Sequence, residues 1–268
     1  MPIITLLTDF GTADYFVGAM KGAILSVAPG AQIVDITHEI PPHDIEAGAF
    51  TLLAAYSSFP SETIHVAVVD PGVGSARRPI LVHAHGHFFV GPDNGLFSYI
   101  CDGDTDARVY HLTNEGYFHA PVSQTFHGRD IFAPVAGALS WNAPPAEFGE
   151  MIRDDIQRLA PLAPVHAGDG VWSARIIHID RFGNLITNIS RHELAEDAFS
   201  AGARLEIGGR EISSLRQFYA EASGGAEGEL FAIWGSAGLL EIVANRASAA
   251  QLLDAARGQL VRVALRKL

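Results

Sequence analysis

A chain of 268 residues, 48% hydrophobic and 18% charged, can bury a full core and fill one large or two modest domains. Its net charge of −12 and pI near 5.4 argue against nucleic-acid binding, and mildly favour cationic small molecules over phosphorylated ones. No basic run exceeds two residues; one such pair, Arg266–Lys267, lies at the end of the chain.

The single cysteine, Cys101, excludes an intrachain disulfide and a cysteine metal cluster. The twelve histidines are scattered, with no HExxH spacing, so no metal or redox cofactor is expected. The first residues lack the basic segment and apolar length of a signal peptide. No apolar stretch reaches membrane-spanning length, so a cytoplasmic location with no membrane partner is expected.

In chain order, Ile3 to Leu7 is a short apolar run suited to a buried parallel strand. Asp14 is positioned to cap a helix from about Tyr15 to Val27, stopped by Pro29–Gly30. Gln32 to Ile36 reads as a second strand. Asp44 starts a second helix with apolar residues at helical spacing, and Ile64 to Val69 is a third strand. This alternation predicts right-handed crossovers and a largely parallel sheet in an N-terminal α/β domain. Pro79 to Val90 reads as a hairpin around His85–Gly86, Gly91 to Gly95 as a turn cluster, and Ala107 to Leu112 as another strand. An apolar helix is expected from about Ile131 to Trp141, with Pro134 tolerable only in its first turn.

Residues 159 to 170 are rich in Pro, Ala and Gly. They place an α/β domain at 1–160, a linker at 161–170 and a β-barrel-like domain at 171–268. In that second domain short strands follow one another, with helical patches at Arg191 to Asp197 and Ser248 to Arg257.

The stretch VAVVDPGVGSARR, Val66 to Arg78, is a strand that ends at a carboxylate and then turns to two arginines. Asp70 and Arg77 read equally well as a structural ion pair or as chemistry at a strand's carboxyl end. A guanidinium favours the ionised carboxylate, so Asp70 would hold and polarise a water rather than remove a proton outright. Asp9, just past the first strand, would open on the same sheet edge. His127 precedes a helix and could accept a proton near neutral pH. The Gly91–Gly95 turn, which includes Asn94, allows close backbone approach to a ligand. The turn Asp180 to Asn184 could present Asp180, Phe182 and Asn184 to one. GxGxxG, GxxxxGK[ST] and GxSxG are absent, against a Rossmann cofactor site, a P-loop and a hydrolase elbow.

Together the segments LLTDFGTADYFVGAMKG, VDPGVGSARR, GPDNG, SQTFHGRDIFAPVA, DRFGNLITNI and GSAGLLEIVANRASA resemble the S-adenosyl-L-methionine hydrolases, or SAM hydroxide adenosyltransferases, relatives of the SAM-dependent fluorinase and chlorinase. They span nearly the whole chain in family order. The resemblance implies a homotrimer with substrate between neighbouring subunits, and hydrolysis of S-adenosyl-L-methionine to adenosine and L-methionine without a cofactor. It implies Asp70, Arg77 and His127 as the catalytic set and Asp9 on the ribose hydroxyls. It places Asp180 and Asn184 on the methionine portion, and Ser236 on that portion or the adenine. Asp70 and His127 stand where the halogenases have tyrosines, and Gly128 where they have a serine. A carboxylate beside the reacting carbon would repel halide and attract water, so a halogenase is disfavoured. A SAM- or nucleoside-binding protein with little turnover is the other alternative.

Overall fold

The structure, a computed structural model, describes residues 3–152, 156–168, 170–195, 197–219 and 225–264. Arg266 and Lys267 lie outside these residues. The chain forms two compact units, Met1–Ala160 and Pro161–Leu268.

The first unit is built on a seven-stranded sheet in the order β2-β1-β3-β5-β4-β6-β7. The strands are β1 (Ile3–Thr8), β2 (Gln32–Thr37), β3 (Ile64–Val68), β4 (Pro79–Ala84), β5 (His87–Pro92), β6 (Arg108–His111) and β7 (Met151–Ile152). β2, β1, β3 and β5 run parallel, and β4, β6 and β7 extend the sheet antiparallel. β1 and β3 are buried on both faces, as suits strands inside the parallel half.

Helix α1 (Phe16–Val27) connects β1 to β2, and α2 (Ile45–Tyr56) connects β2 to β3. With β1 between β2 and β3, right-handed crossovers put these helices on opposite faces. Asp44 caps α2 as expected, accepting from Ala47 N at 3.0 Å. Asp14 does not cap α1; the helix follows Tyr15 with no side-chain cap bond. Its start is instead held by rings. Tyr15 stacks on Phe16 at 4.5 Å, and Phe16 meets Phe126 edge-on at 5.2 Å.

A short helix, α3 (Ser98–Asp102), follows the Gly91–Gly95 turn and was not expected. The helix expected from Ile131 opens earlier, as a wide turn over Gly128–Phe132, and continues as α4 (Ala133–Leu139). Pro134 is therefore not in the first turn of the continuous helix; the wide turn before it accommodates its missing N–H, and Asp130 O, four residues back, accepts from His119 N at 2.8 Å instead. Gly137 lets α4 approach α1: a Cβ there would lie 2.9 Å from Val27 Cβ.

The second unit is a curled half-barrel. It contains β8 (Val165–Gly168), β9 (Val171–Ile179), β10 (Leu185–Ser190), β11 (Arg204–Ile207), β12 (Arg210–Ile212), β13 (Leu215–Arg216), β14 (Leu230–Trp234), β15 (Leu239–Ala244) and β16 (Leu260–Ala264). The path runs β12-β11-β16-β9-β10-β15-β14-β13, with β8 beside β9. β8 therefore puts a strand inside the Pro/Ala/Gly-rich stretch read as linker. The described residues of Arg191–Asp197 form turns rather than a helix. Ser190 draws that turn together, its N–H and hydroxyl both donating to Glu193. Only α5 (Ala249–Leu252) forms from the second helical patch, capped by Ser248.

Candidate active site

Register brings three strand ends to one edge. Thr8 pairs with Val68 and Val66 with Val90, all in parallel. Asp9 follows β1, Asp70 lies two residues past β3, and Asn94 lies two past β5. These residues leave the carboxyl edge of neighbouring strands, where ligands bind in open α/β sheets.

At that edge Arg77 clamps Asp70. Its Nε donates to Oδ1 at 2.9 Å and its Nη2 to Oδ2. The two side chains are 8% and 4% exposed, so little solvent screens the pair. Nη2 also donates to His127 Nδ1 at 2.7 Å, and the Arg77 guanidinium lies over the Phe132 ring, 5.5 Å from its centroid. Asp70, Arg77 and His127, seven and 50 residues apart along the chain, thus form one connected group.

A guanidinium has donors only, so His127 Nδ1 must accept. The imidazole is then neutral with its proton on Nε2. Burial, and next the Arg77 charge, push the His127 pKa below the ordinary value, in agreement. This revises the expectation that His127 takes a proton: its basic nitrogen is occupied, and the free edge is a donor.

The loop geometry depends on Gly74. It adopts φ +77°, and a Cβ there would lie 2.3 Å from Gln124 O. The turn after Asp70 can therefore close onto the segment that leads to His127. The second arginine has a separate task. Arg78 donates to buried Asp93 at 2.8 Å, and Asp93 also accepts from Gln157 N.

Asp9 Oδ2 accepts from His43 N at 2.8 Å. Its loop is held from behind by Thr8 Oγ1 and His38 Nδ1, 2.9 Å apart, with His38 Nε2 3.2 Å from Asp35. Asn94 ties its amide to Val69 O at 2.8 Å and accepts from Leu96 N, so its side chain pins the exit of β3.

The other expected residues lie in the second unit. Asp180 Oδ1 accepts from Phe182 N and Asn184 N, and its Oδ2 from Asn184 Nδ2 at 2.8 Å. Gly183 at φ +83° completes this turn; a Cβ would strike Ser248 Oγ at 2.0 Å. The turn leaves Phe182 78% exposed. Asp180, Phe182 and Asn184 line a cavity of about 610 Å³ with Tyr219, Ala244, Arg246 and Ala247. Ser236 does not line it; it lies exposed in the turn joining β14 to β15.

Sequence reasoning missed Tyr219 and Glu241. Tyr219 donates to buried Glu241 at 3.2 Å. Its pKa is pushed up to about 12 by burial and then by Glu241. Burial also raises Glu241, partly offset by the Tyr219 bond. The available signal was a lone carboxylate inside the apolar run LLEIV. Among the described residues no group of three His, Cys, Asp or Glu side chains could hold a metal ion, and no helix is long and apolar enough to cross a membrane.

The first unit thus carries a guanidinium-clamped carboxylate and a neutral imidazole at its carboxyl edge, and the second a cavity lined by two aromatic side chains. The SAM hydroxide adenosyltransferase N-terminal domain matches residues 4–149, and the corresponding C-terminal domain matches residues 174–262. The chain belongs to the SAM hydroxide adenosyltransferase family, as the sequence motifs implied. It is 38% identical to the (R)-S-adenosyl-L-methionine hydrolase of Salinispora arenicola over 264 residues, covering 98% of this chain and 97% of that one. A fluorinase of Actinoplanes is more distant, 30% identical over 231 residues, covering 77% and 78% of the two chains. The crystal structure of an uncharacterized conserved protein from Thermotoga maritima superposes with a TM-score of 0.88 at 31% identity, covering 98% of this chain and all of that one.

Proposed function

We propose that this protein hydrolyses S-adenosyl-L-methionine to adenosine and L-methionine by in-line attack of water at the ribose C5′ carbon. The observation that carries the reading is the clamped Asp70–Arg77–His127 group at the carboxyl edge of β3. The water oxygen forms a bond to C5′ as the C5′–S bond breaks, and sulfur keeps the electron pair. Methionine leaves as a neutral thioether and one proton is released. The sulfonium is already a good leaving group, so the step needs neither a general acid nor a metal or redox cofactor.

The protein's task is to hold one water in line. Such positioning supplies on the order of 7–11 kcal/mol. Asp70 accepts a hydrogen bond from that water and orients a lone pair toward C5′. His127 Nε2–H donates to the water or to its neighbour. The released proton passes to solvent, since Arg77 pairs with both Asp70 oxygens and occupies His127 Nδ1. Asp9 holds the ribose hydroxyls, with Asn94 fixing the loop beside them. Phe182 stacks on the planar base, while Asp180 and Asn184 bind the same ligand. The acidic chain attracts the cationic substrate. A cytoplasmic location accords with this reading.

The proposed residues divide between the two units. A homotrimer in which one subunit's N-terminal unit meets its neighbour's C-terminal unit would join them. Mixing Asp70→Asn with Asp180→Ala subunits should then restore part of the activity that each lacks alone. No restoration after subunit exchange would sink the shared-site arrangement.

The central test is turnover in ¹⁸O-water with chromatography of the products. Adenosine carrying one ¹⁸O, with equimolar methionine, is the expected result. The relative's name specifies an (R) form, and the L label already describes the amino-acid carbon, so both sulfonium epimers should be assayed separately. No adenosine above buffer from either epimer would overturn the hydrolase reading. A halide-dependent 5′-halo product would favour a halogenase.

A further inference from the structure

Behind Asp9 lies a buried polar relay with no part in the reaction as written. Where β1 pairs with β2 the register steps from Leu6 opposite Asp35 to Leu7 opposite Thr37, so β2 carries one extra residue there. This bulge brings His38, rather than Thr37, level with Thr8. Both side chains are buried, and Thr8 Oγ1 meets His38 Nδ1 at 2.9 Å. We propose that His38 is a positioning residue: with Thr8 and Asp35 it fixes the loop that carries Asp9, and so sets the affinity for the hydroxyl pair of a ribose. The proposal rests on the ribose-holding role given to Asp9 above.

The direction of each bond follows from the groups around it. Lys21 donates to Asp35 Oδ2 at 2.6 Å, so Asp35 is held as a carboxylate. His38 Nε2 lies 3.2 Å from Asp35 Oδ1, off the line of a hydrogen bond but near enough for that charge to keep the ring proton on Nε2. Nδ1 therefore accepts. The Thr8 hydroxyl donates to it, and the Thr8 oxygen accepts from Phe10 N at 3.2 Å. Thr8 and Phe10 flank Asp9, so the relay grips the backbone on either side of that carboxylate. The loop after β2 also holds Asp9 directly. Gly11 N donates to His38 O at 2.7 Å, and His43 N donates to Asp9 Oδ2 at 2.8 Å. That last bond commits one Asp9 oxygen to the loop, and the other can meet a ribose hydroxyl. A hydroxyl and an imidazole placed where β1 leaves the core cost desolvation that an apolar pair would avoid. What they supply is a fixed direction for the Phe10 amide, and binding groups work only when such support holds them to about 0.5 Å.

The test compares adenosine with 2′,3′-dideoxyadenosine, which lacks the hydroxyls assigned to Asp9, by calorimetry on the intact protein. Steady-state kinetics with S-adenosyl-L-methionine run alongside. Thr8→Val keeps the shape and removes the hydroxyl. It should weaken adenosine about tenfold and leave dideoxyadenosine within about twofold. KM should rise by about tenfold while kcat changes less than about threefold. Thr8→Ser should restore most of the affinity, and His38→Leu should behave as Thr8→Val does. If neither Thr8→Val nor His38→Leu folds, Asp35→Asn, at the solvent-facing end of the relay, decides, with a loss of about threefold for adenosine alone. Equal weakening of both nucleosides, weakening of neither, or a fall in kcat at constant KM overturns the proposal and leaves the hydrolase reading standing. A native protein that neither binds adenosine nor releases it from S-adenosyl-L-methionine overturns both.

Discussion

Arg77 donates to His127 Nδ1 at 2.7 Å, and that bond decides what the imidazole can do. With Nδ1 filled, His127 offers an N–H to the reaction and no lone pair. Burial and the Arg77 charge favour the neutral ring, so its folded pKa is depressed. The neutral form persists below the usual titration of histidine, and only stronger acid breaks the Arg77 bond. Turnover should be flat from neutral to mildly alkaline pH and should fall only in acid, below the ordinary histidine range. His127→Gln should cost about 10–100-fold in kcat and abolish that acid limb. A limb centred at pH 7 or above in the native enzyme would instead make His127 a base.

Asp70→Asn removes the acceptor charge that orients water and leaves the shape nearly unchanged. The expected loss in kcat is about 10²–10⁴-fold, with KM little altered. Arg77→Lys keeps the charge but cannot span both Asp70 oxygens and His127 at once. A loss of about tenfold or more is expected, measured by steady-state adenosine release. Near-native rates in both variants would reduce the group to a structural ion pair.

Gly74→Ala tests the loop that closes the site. The left-handed φ and the 2.3 Å approach to Gln124 O leave no room for a methyl group. Stability should fall by about 1–3 kcal/mol in urea unfolding, and activity should fall further than stability explains. Gly11, at φ +65° with nothing within 4 Å of its added Cβ, is the control: its alanine variant should pay only the backbone term.

Acid should weaken the N-terminal unit through His65. This residue is buried against Phe89 and Tyr56, bonded to Thr5 Oγ1 at 2.8 Å, and 3.3 Å from His87. Burial, then His87, hold its pKa down to about 3. The unfolded chain binds that proton near pH 6.5, and the folded chain does not. Stability is therefore complete above about pH 6.5 and declines as pH falls toward 3, by up to about 1.4 kcal/mol per pH unit. Denaturant midpoints across this range should show the slope, and His65→Gln should flatten it.

Much of the architecture was legible from local patterns. The apolar runs at β1 and β3 and the Asp44 cap of α2 are short-range features, and they formed where expected. The chain's motifs, taken as a set, marked the family. Local pattern failed where packing over distance prevailed. Aromatic rings, not Asp14, start α1, and the Glu193 turn replaces a helix after β10.

The sequence by itself determined which side chains could do chemistry: a carboxylate at a strand's end, an arginine across a glycine turn, and a histidine before a helix. Only the tertiary structure decided what each can do. Parallel register carried Asp9, Asp70 and Asn94 to one edge, because strands paired in parallel end on the same side. One guanidinium, having donors alone, then tied Asp70 to His127 and made the histidine a hydrogen-bond donor. That assignment depends on which nitrogen faces Arg77 across 50 residues of chain, and no spacing or propensity encodes it.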